Sequence, residues 1–179
     1  MADTSFMQAA AEKTITTAIV EDIRDIREGL TTLINFTEGF TCNGSYRSME
    51  DAIPKIKGNV PDVLLSDIGL PGMNGIEGIR ILKDLYPDMT VLMLTVYDDD
   101  ERIFDAICAG ATGYLLKRTA PAKLLENIRE AVEGGAPMSP EVASRVIKLF
   151  REVRPPERVD YDLTPHETRL LKLLVDGHN

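Results

Sequence analysis

Five short apolar or β-branched runs, at 14–20, 40–43, 60–66, 90–95 and 113–116, alternate with stretches of helical length. This alternation constrains the chain more than anything else in it. The first helical stretch, 22–39, sets Ile23, Ile26, Leu30, Leu33 and Ile34 on one face. Ser48 stands where it would cap the second, and Pro54 inside it predicts a kink or a late start. A third helix is expected over 76–86, with Ile76, Ile79, Ile81 and Leu82 inward. The fourth, 98–109, opens on acidic residues, which the helix dipole favours there. The fifth, 120–133, ends at Gly134-Gly135. The runs at 60–66 and 90–95 are nearly continuous in apolar residues, as strands buried on both faces are. Parallel strands need crossover helices, and those crossovers are right-handed. The expected fold is therefore α/β, a doubly wound five-stranded parallel sheet. Such sheets bind ligands beyond the carboxyl ends of their strands.

Composition narrows the class. No apolar run approaches the roughly 20 residues that cross a bilayer. Residues 1–13 carry no basic cluster followed by an apolar block, so no secretory signal is read there. Two cysteines, Cys42 and Cys108, cannot make a disulfide framework, and a reducing cytoplasmic location is the expectation. Cys108, on a helix, reads as a small buried hydrophobe. The formal net charge of −9 argues against nucleic-acid binding by bulk electrostatics. All of it falls in residues 1–138, with 13 basic against 22 acidic side chains, whereas 139–179 carries seven of each.

That difference separates two modules. Residues 1–13 are expected to be a flexible extension, 14–135 the sheet domain and 136–163 a linker with one helix. The linker helix opens on Ser139 as cap with Pro140 behind it, and carries Val142, Val146, Leu149 and Phe150 at helical spacing. It could pack on its own sheet domain or on a partner's. Residues 164–179 begin with a capping box, Thr164-Pro165-His166-Glu167, and read as the first helix of a domain whose remainder lies beyond Asn179.

The strand ends carry the chemistry. Glu21 and Asp22 follow the first run and Asp67 the third, while the fourth ends in Thr95 and the fifth in Lys117. In a parallel sheet these side chains converge on one edge. Clustered carboxylates raise one another's pKa unless a cation is present, and an all-oxygen site that keeps some waters suits Mg²⁺. Metal, ammonium and hydroxyl on the phosphoryl oxygens, with a carboxylate nucleophile, are what phosphoryl transfer requires.

Four segments, 18–22 (AIVED), 62–75 (DVLLSDIGLPGMNG), 91–95 (VLMLT) and 110–117 (GATGYLLK), resemble the receiver domain of bacterial two-component response regulators. The spacings agree too: 45 residues from Asp22 to Asp67, 28 to Thr95 and 22 more to Lys117. The tail at 163–177 (LTPHETRLLKLLVDG) is similar to the opening of the helix-turn-helix domain of the NarL/FixJ (LuxR-type) subfamily. The resemblance implies a flavodoxin-like (βα)5 receiver whose Asp67 accepts a phosphoryl group from a sensor histidine kinase. It implies that Asp22, Asp67 and the Gly69 carbonyl bind Mg²⁺ directly, and Glu21 through water. Lys117 would pair with the phosphoryl oxygens, Thr95 would swing to them, and Tyr114 would follow as the second switch residue. It also implies a homodimer on phosphorylation, and DNA binding through a C-terminal domain largely missing from this chain, which alone would bind DNA little or not at all. Three residues depart from the pattern. Glu21 stands where Asp is usual, Val96 after Thr95 is bulkier than the common Ala and restricts access, and Arg118 stands where many receivers have Pro, so no cis bond is assumed.

Plainer readings exist for each residue. Asp67 alone would serve as a turn cap, Lys117 alone as a solvated charge and Tyr114 alone as a core aromatic with a wet hydroxyl. Gly69, Gly72, Gly75 and Gly78 follow a strand but match neither phosphate-loop spacing, so they read as turn residues. Asp98-Asp99-Asp100-Glu101 reads as a helix start. His166 and His178 read as surface residues outside the sheet domain. Two other functions remain at this stage. One is a receiver-type adaptor acting through protein contacts without DNA; the other is a nucleotide- or flavin-binding enzyme using the same crevice, for which no adenine- or ribose-directed motif appears.

Overall fold

The computed structural model describes residues 14–152. The expectations for 1–13, for the linker beyond Glu152, for the helix at 164–179 and for His166 and His178 lie outside those residues. In chain order the elements are β1 (Ile15–Val20), α1 (Arg24–Asn35), β2 (Phe40–Tyr46), α2 (Met49–Ile56), β3 (Val63–Ser66) and α3 (Gly75–Leu85). After these come β4 (Thr90–Thr95), α4 (Asp100–Cys108), β5 (Gly113–Leu116), α5 (Pro121–Val132) and α6 (Pro140–Glu152). The five strands form one sheet in the order β2-β1-β3-β4-β5, and every pairing is parallel.

Strand residues alternate between two cores. Ala18, Val20, Leu64, Val91, Met93, Tyr114 and Leu116 pack with Met49, Ala52 and Ile56 of α2, Ile76, Ile79 and Leu82 of α3, and Ile103 and Ala106 of α4. Ile19, Val63, Leu65, Leu92, Leu94 and Leu115 face the other way, onto Ile34 of α1 and Leu124, Ile128 and Ala131 of α5. With helices on both faces, the central strands need apolar residues at every position. The strand order reverses between β1 and β3, which puts the ligand crevice beyond Val20 and Ser66.

Several expectations shift at their boundaries. The first helix starts two residues late and stops at Asn35: Ile23 is its cap, 51% exposed instead of inward, and the chain turns at Gly39 (φ 81°). β2 runs on to Tyr46, because β1 pairs along its whole length; the register slips at Asn43, so Thr17 faces Cys42 and Ala18 faces Gly44. β3 begins only at Val63, since Pro61 has no N–H to give a ladder. Ser48 does cap α2, accepting from the Asp51 N–H at 3.3 Å, and the helix starts at once. Pro54 lies inside the helix, which continues past it to Ile56. Ile81 is exposed, because the buried line runs through Ile76, Ile79 and Leu82. Cys108 is exposed, contrary to the reading of a buried hydrophobe, as the inner face of α4 is taken by Ile103 and Ala106. The Lys117–Arg118 bond is trans, like every peptide bond described.

The linker helix packs in cis. Val142 is fully buried, and Val146 and Leu149 lie on the core shared with α2, α3 and α4. Phe150 does not join them and is 73% exposed. The compact unit that holds the sheet runs to Leu149.

Candidate functional site

β1 delivers Glu21 and Asp22 to the carboxyl edge, β3 delivers Asp67, β4 ends on Thr95 and Lys117 follows β5. The four side chains Glu21, Asp67, Thr95 and Lys117 are buried or nearly so, whereas Asp22 is exposed. Lys117 Nζ sits 2.7 Å from Asp67 Oδ2 and 2.7 Å from Glu21 Oε2, one ammonium bridging two carboxylates. Asp67 Oδ1 accepts the Ile68 N–H at 2.7 Å, and Glu21 Oε1 accepts the Ile23 N–H at 3.2 Å. Burial pushes the Glu21 carboxyl above its ordinary pKa, with the Lys117 ammonium opposing the shift. Burial also works against the Lys117 charge, yet the Asp67 and Glu21 carboxylates outweigh it and hold its pKa above the ordinary lysine value.

One carboxylate oxygen from each of Glu21, Asp22 and Asp67 lies within 4.8 Å of the other two. Three hard oxygen donors at that separation, one of them exposed to water, fit a small divalent cation that keeps part of its hydration. Gly69 lies two residues past Asp67, under the Tyr97 ring: a Cβ there would come within 3.0 Å of it. Asp22 also lines an open cleft of about 580 Å³ with Arg47, Ser48, Glu50, Pro71 and Gly72.

Thr95 Oγ1 accepts from the Tyr97 N–H at 3.4 Å, while the Thr95 carbonyl accepts the Lys117 N–H at 2.9 Å. Tyr114 points inward, fully buried, and its hydroxyl donates to the Tyr97 carbonyl at 2.9 Å. The β4–α4 loop therefore connects the Thr95 hydroxyl to the Tyr114 ring. Val96, on the same loop, is exposed.

Residues not singled out in the sequence complete the site. The Glu50 carboxylate accepts the Met73 N–H at 2.8 Å, which holds its pKa below the usual range and ties the loop after Asp67 to α2. Arg27 reaches from α1 to carbonyls of the β1–α1 loop. Arg102 lies over the Tyr97 ring, 4.2 Å from its centre. Their common signal in the sequence is a charged residue near the start of a helix that borders the crevice, which is too ordinary to single out.

A five-stranded parallel sheet with an acidic, lysine-bridged pocket at its carboxyl edge defines a receiver-type signalling domain. The family model for the response regulator receiver domain matches residues 17–129. The chain belongs to that family, in its NarL/FixJ (LuxR-type) branch. It is 31% identical over 186 residues to the transcriptional regulatory protein DegU of Brevibacillus brevis, spanning 94% of this chain and 78% of that protein. It is 32% identical to the transcriptional regulatory protein YxjL of Bacillus subtilis (strain 168), over 91% of this chain and 76% of that one. Among solved structures, a LuxR-family two-component response regulator from Aurantimonas sp. SI85-9A1 superposes with a TM-score of 0.73 at 27% identity, covering 78% of this chain and 99% of that one. The chain is thus a two-component response regulator, related to transcriptional regulators. Among the described residues no helix is long and apolar enough to cross a membrane.

Proposed function

We propose that Asp67 is the phosphoryl acceptor of a two-component relay that controls transcription, with a sensor histidine kinase as donor. The observation that carries this is Asp67 itself, buried, bonded to Lys117 at 2.7 Å and sharing an acidic cluster with Glu21 and Asp22. An Asp67 carboxylate oxygen attacks phosphorus, the bond from phosphorus to the donor's histidine nitrogen breaks, and that nitrogen leaves with the electron pair. The product is an acyl phosphate on Asp67. Asp22, Asp67 and the Gly69 carbonyl would hold Mg²⁺, with Glu21 acting through water. Bound there, the ion would neutralise phosphoryl charge.

Lys117 follows the negative charge from the carboxylate to the phosphoryl oxygens, an ammonium being a mobile point charge on a flexible stem. Thr95 turns its hydroxyl from the Tyr97 N–H to the phosphoryl group. That movement pulls on the β4–α4 loop, whose Tyr97 carbonyl holds the Tyr114 hydroxyl. Two packings of Thr95, Tyr97 and Tyr114 then differ in stability according to whether Asp67 is modified, a population shift read out as dimerisation and DNA binding. The relatives' description as transcriptional regulators favours this over an adaptor without DNA.

The test is labelling by a small acyl-phosphate donor with Mg²⁺, followed by intact mass. The wild-type chain gains one phosphoryl group and Asp67→Asn gains none. Undiminished labelling of Asp67→Asn would refute the assignment.

A further inference from the structure

The Arg27 guanidinium gathers two successive carbonyls of the loop that carries the acidic pair. Its Nη1 donates to the Glu21 carbonyl at 2.7 Å and to the Asp22 carbonyl at 3.1 Å, and the Arg27 backbone N–H donates to the Ile23 carbonyl at 3.0 Å. The cap of α1 contributes nothing similar, since Ile23 has no side-chain acceptor. Two carbonyl dipoles directed at one place repel unless a cation stands there, and Asp22 is exposed, with no wall of packed neighbours to aim its carboxylate.

From this geometry we infer that Arg27 is a positioning residue for the divalent-cation site: it fixes the backbone of Glu21 and Asp22 so that their carboxylates face Asp67. The inference rests on the Mg²⁺ reading above. It makes an unusual demand on the sign of the effect. Arg27 is a positive charge beside a cation site, so by charge alone its removal tightens Mg²⁺ binding. By positioning, its removal weakens binding, as loss of a group that orients metal ligands does, by about tenfold.

Calorimetric titration of the 179-residue chain with Mg²⁺ separates the two. Arg27→Gln is expected to bind about tenfold more weakly. Arg24→Gln removes an equal charge from an exposed side chain of the same helix, paired with Glu28 at 2.7 Å, and is expected to bind as wild type does or slightly tighter. Equal or tighter binding by Arg27→Gln overturns the inference, and so does equal weakening in both variants. Should Arg27→Gln fail to fold, Arg27→Lys carries the test. Lysine keeps the charge on a shorter reach without the planar fork, so an affinity several-fold below wild type supports positioning and an unchanged one overturns it. A wild-type chain that binds no Mg²⁺ removes the cation site and Arg27's part in it together. An unchanged wild-type affinity in Arg27→Gln removes only the latter.

Discussion

Glu21 and Asp67 are both buried, and one ammonium answers both. Replacing Lys117 by Met leaves two carboxylates facing each other without a counter-charge, which costs about 3 kcal/mol in a buried pair. Urea unfolding of Lys117→Met should show that loss at neutral pH, and added Mg²⁺ should recover part of it, because positive charge is restored. A loss that Mg²⁺ leaves untouched would contradict the account. Tyr114 contributes to the alkaline limb. Burial, and after it the Asp99 carboxylate, holds its phenol far above the ordinary 10.0. The native state therefore keeps a proton that the unfolded chain releases, so stability is complete below pH 10 and falls as pH rises above it. Lys117, raised from 10.5, acts in the same direction. Tyr114→Phe should flatten this decline, and tyrosinate absorbance should show one tyrosine of the wild type ionising only as the chain unfolds. Glu21, Asp67 and Lys117 were legible in the sequence because each directly follows a strand, and parallel strands gather their ends, whereas Tyr114, inside β5, was legible only through the resemblance to receiver domains. Arg27 and Glu50 were not. They sit inside helices and act on backbone groups brought near by folding, for which spacing carries no signal.

Elements were legible in kind, and less so at their ends. All five strands and all six helices of the described residues appear where apolar periodicity places them. The ends moved where backbone geometry outweighs hydrophobicity, at Pro61, at Gly39 and along the whole of β2, which extends because β1 offers it partners. Two glycines in helices show the same contrast energetically. Gly29 lies within α1 with nothing inside 4 Å of an added Cβ, so Gly29→Ala should stabilise by about 0.5–1 kcal/mol through the unfolded chain's lost freedom. Gly75 opens α3, and a Cβ there would stand 1.9 Å from the Asp67 carbonyl oxygen, which is backbone and cannot turn aside. Gly75→Ala should destabilise by roughly 3 kcal/mol and abolish Asp67 phosphorylation. Thermal melts and labelling of the pair measure both; a neutral Gly75→Ala would show that the loop after Asp67 yields more easily than its packing implies.

For the whole molecule, the open matter in the sequence was which surface the linker helix covers, because an apolar stripe does not name its partner. The structure closes it through the edge of the sheet. β5 has a free side, and the segment before α6 takes it: the Tyr114 N–H donates to the Pro137 carbonyl, the Ser139 N–H to the Tyr114 carbonyl, and the Leu116 N–H to the Ser139 hydroxyl at 3.0 Å. Ser139 is thus bonded to the edge strand as well as standing before the helix. Arg118 pairs with Glu141 and Arg145 with Asp100, fastening α6 to the residues after β5 and to the start of α4. The strand that carries Tyr114 and leads into Lys117 is therefore continuous with the linker. A chain ended after Gly135 loses the fully buried Val142 and these edge bonds, and should be less stable by about 3 kcal/mol, lowering Tm by roughly 10 °C. Ser139→Ala removes one of the bonds and leaves a buried N–H unanswered, at about 1–2 kcal/mol. Hydrogen exchange at the Leu116 amide should quicken in both. If the shortened chain melts with the full one, α6 contributes nothing to the sheet domain, and any signal passing from Tyr114 to the linker must take another route.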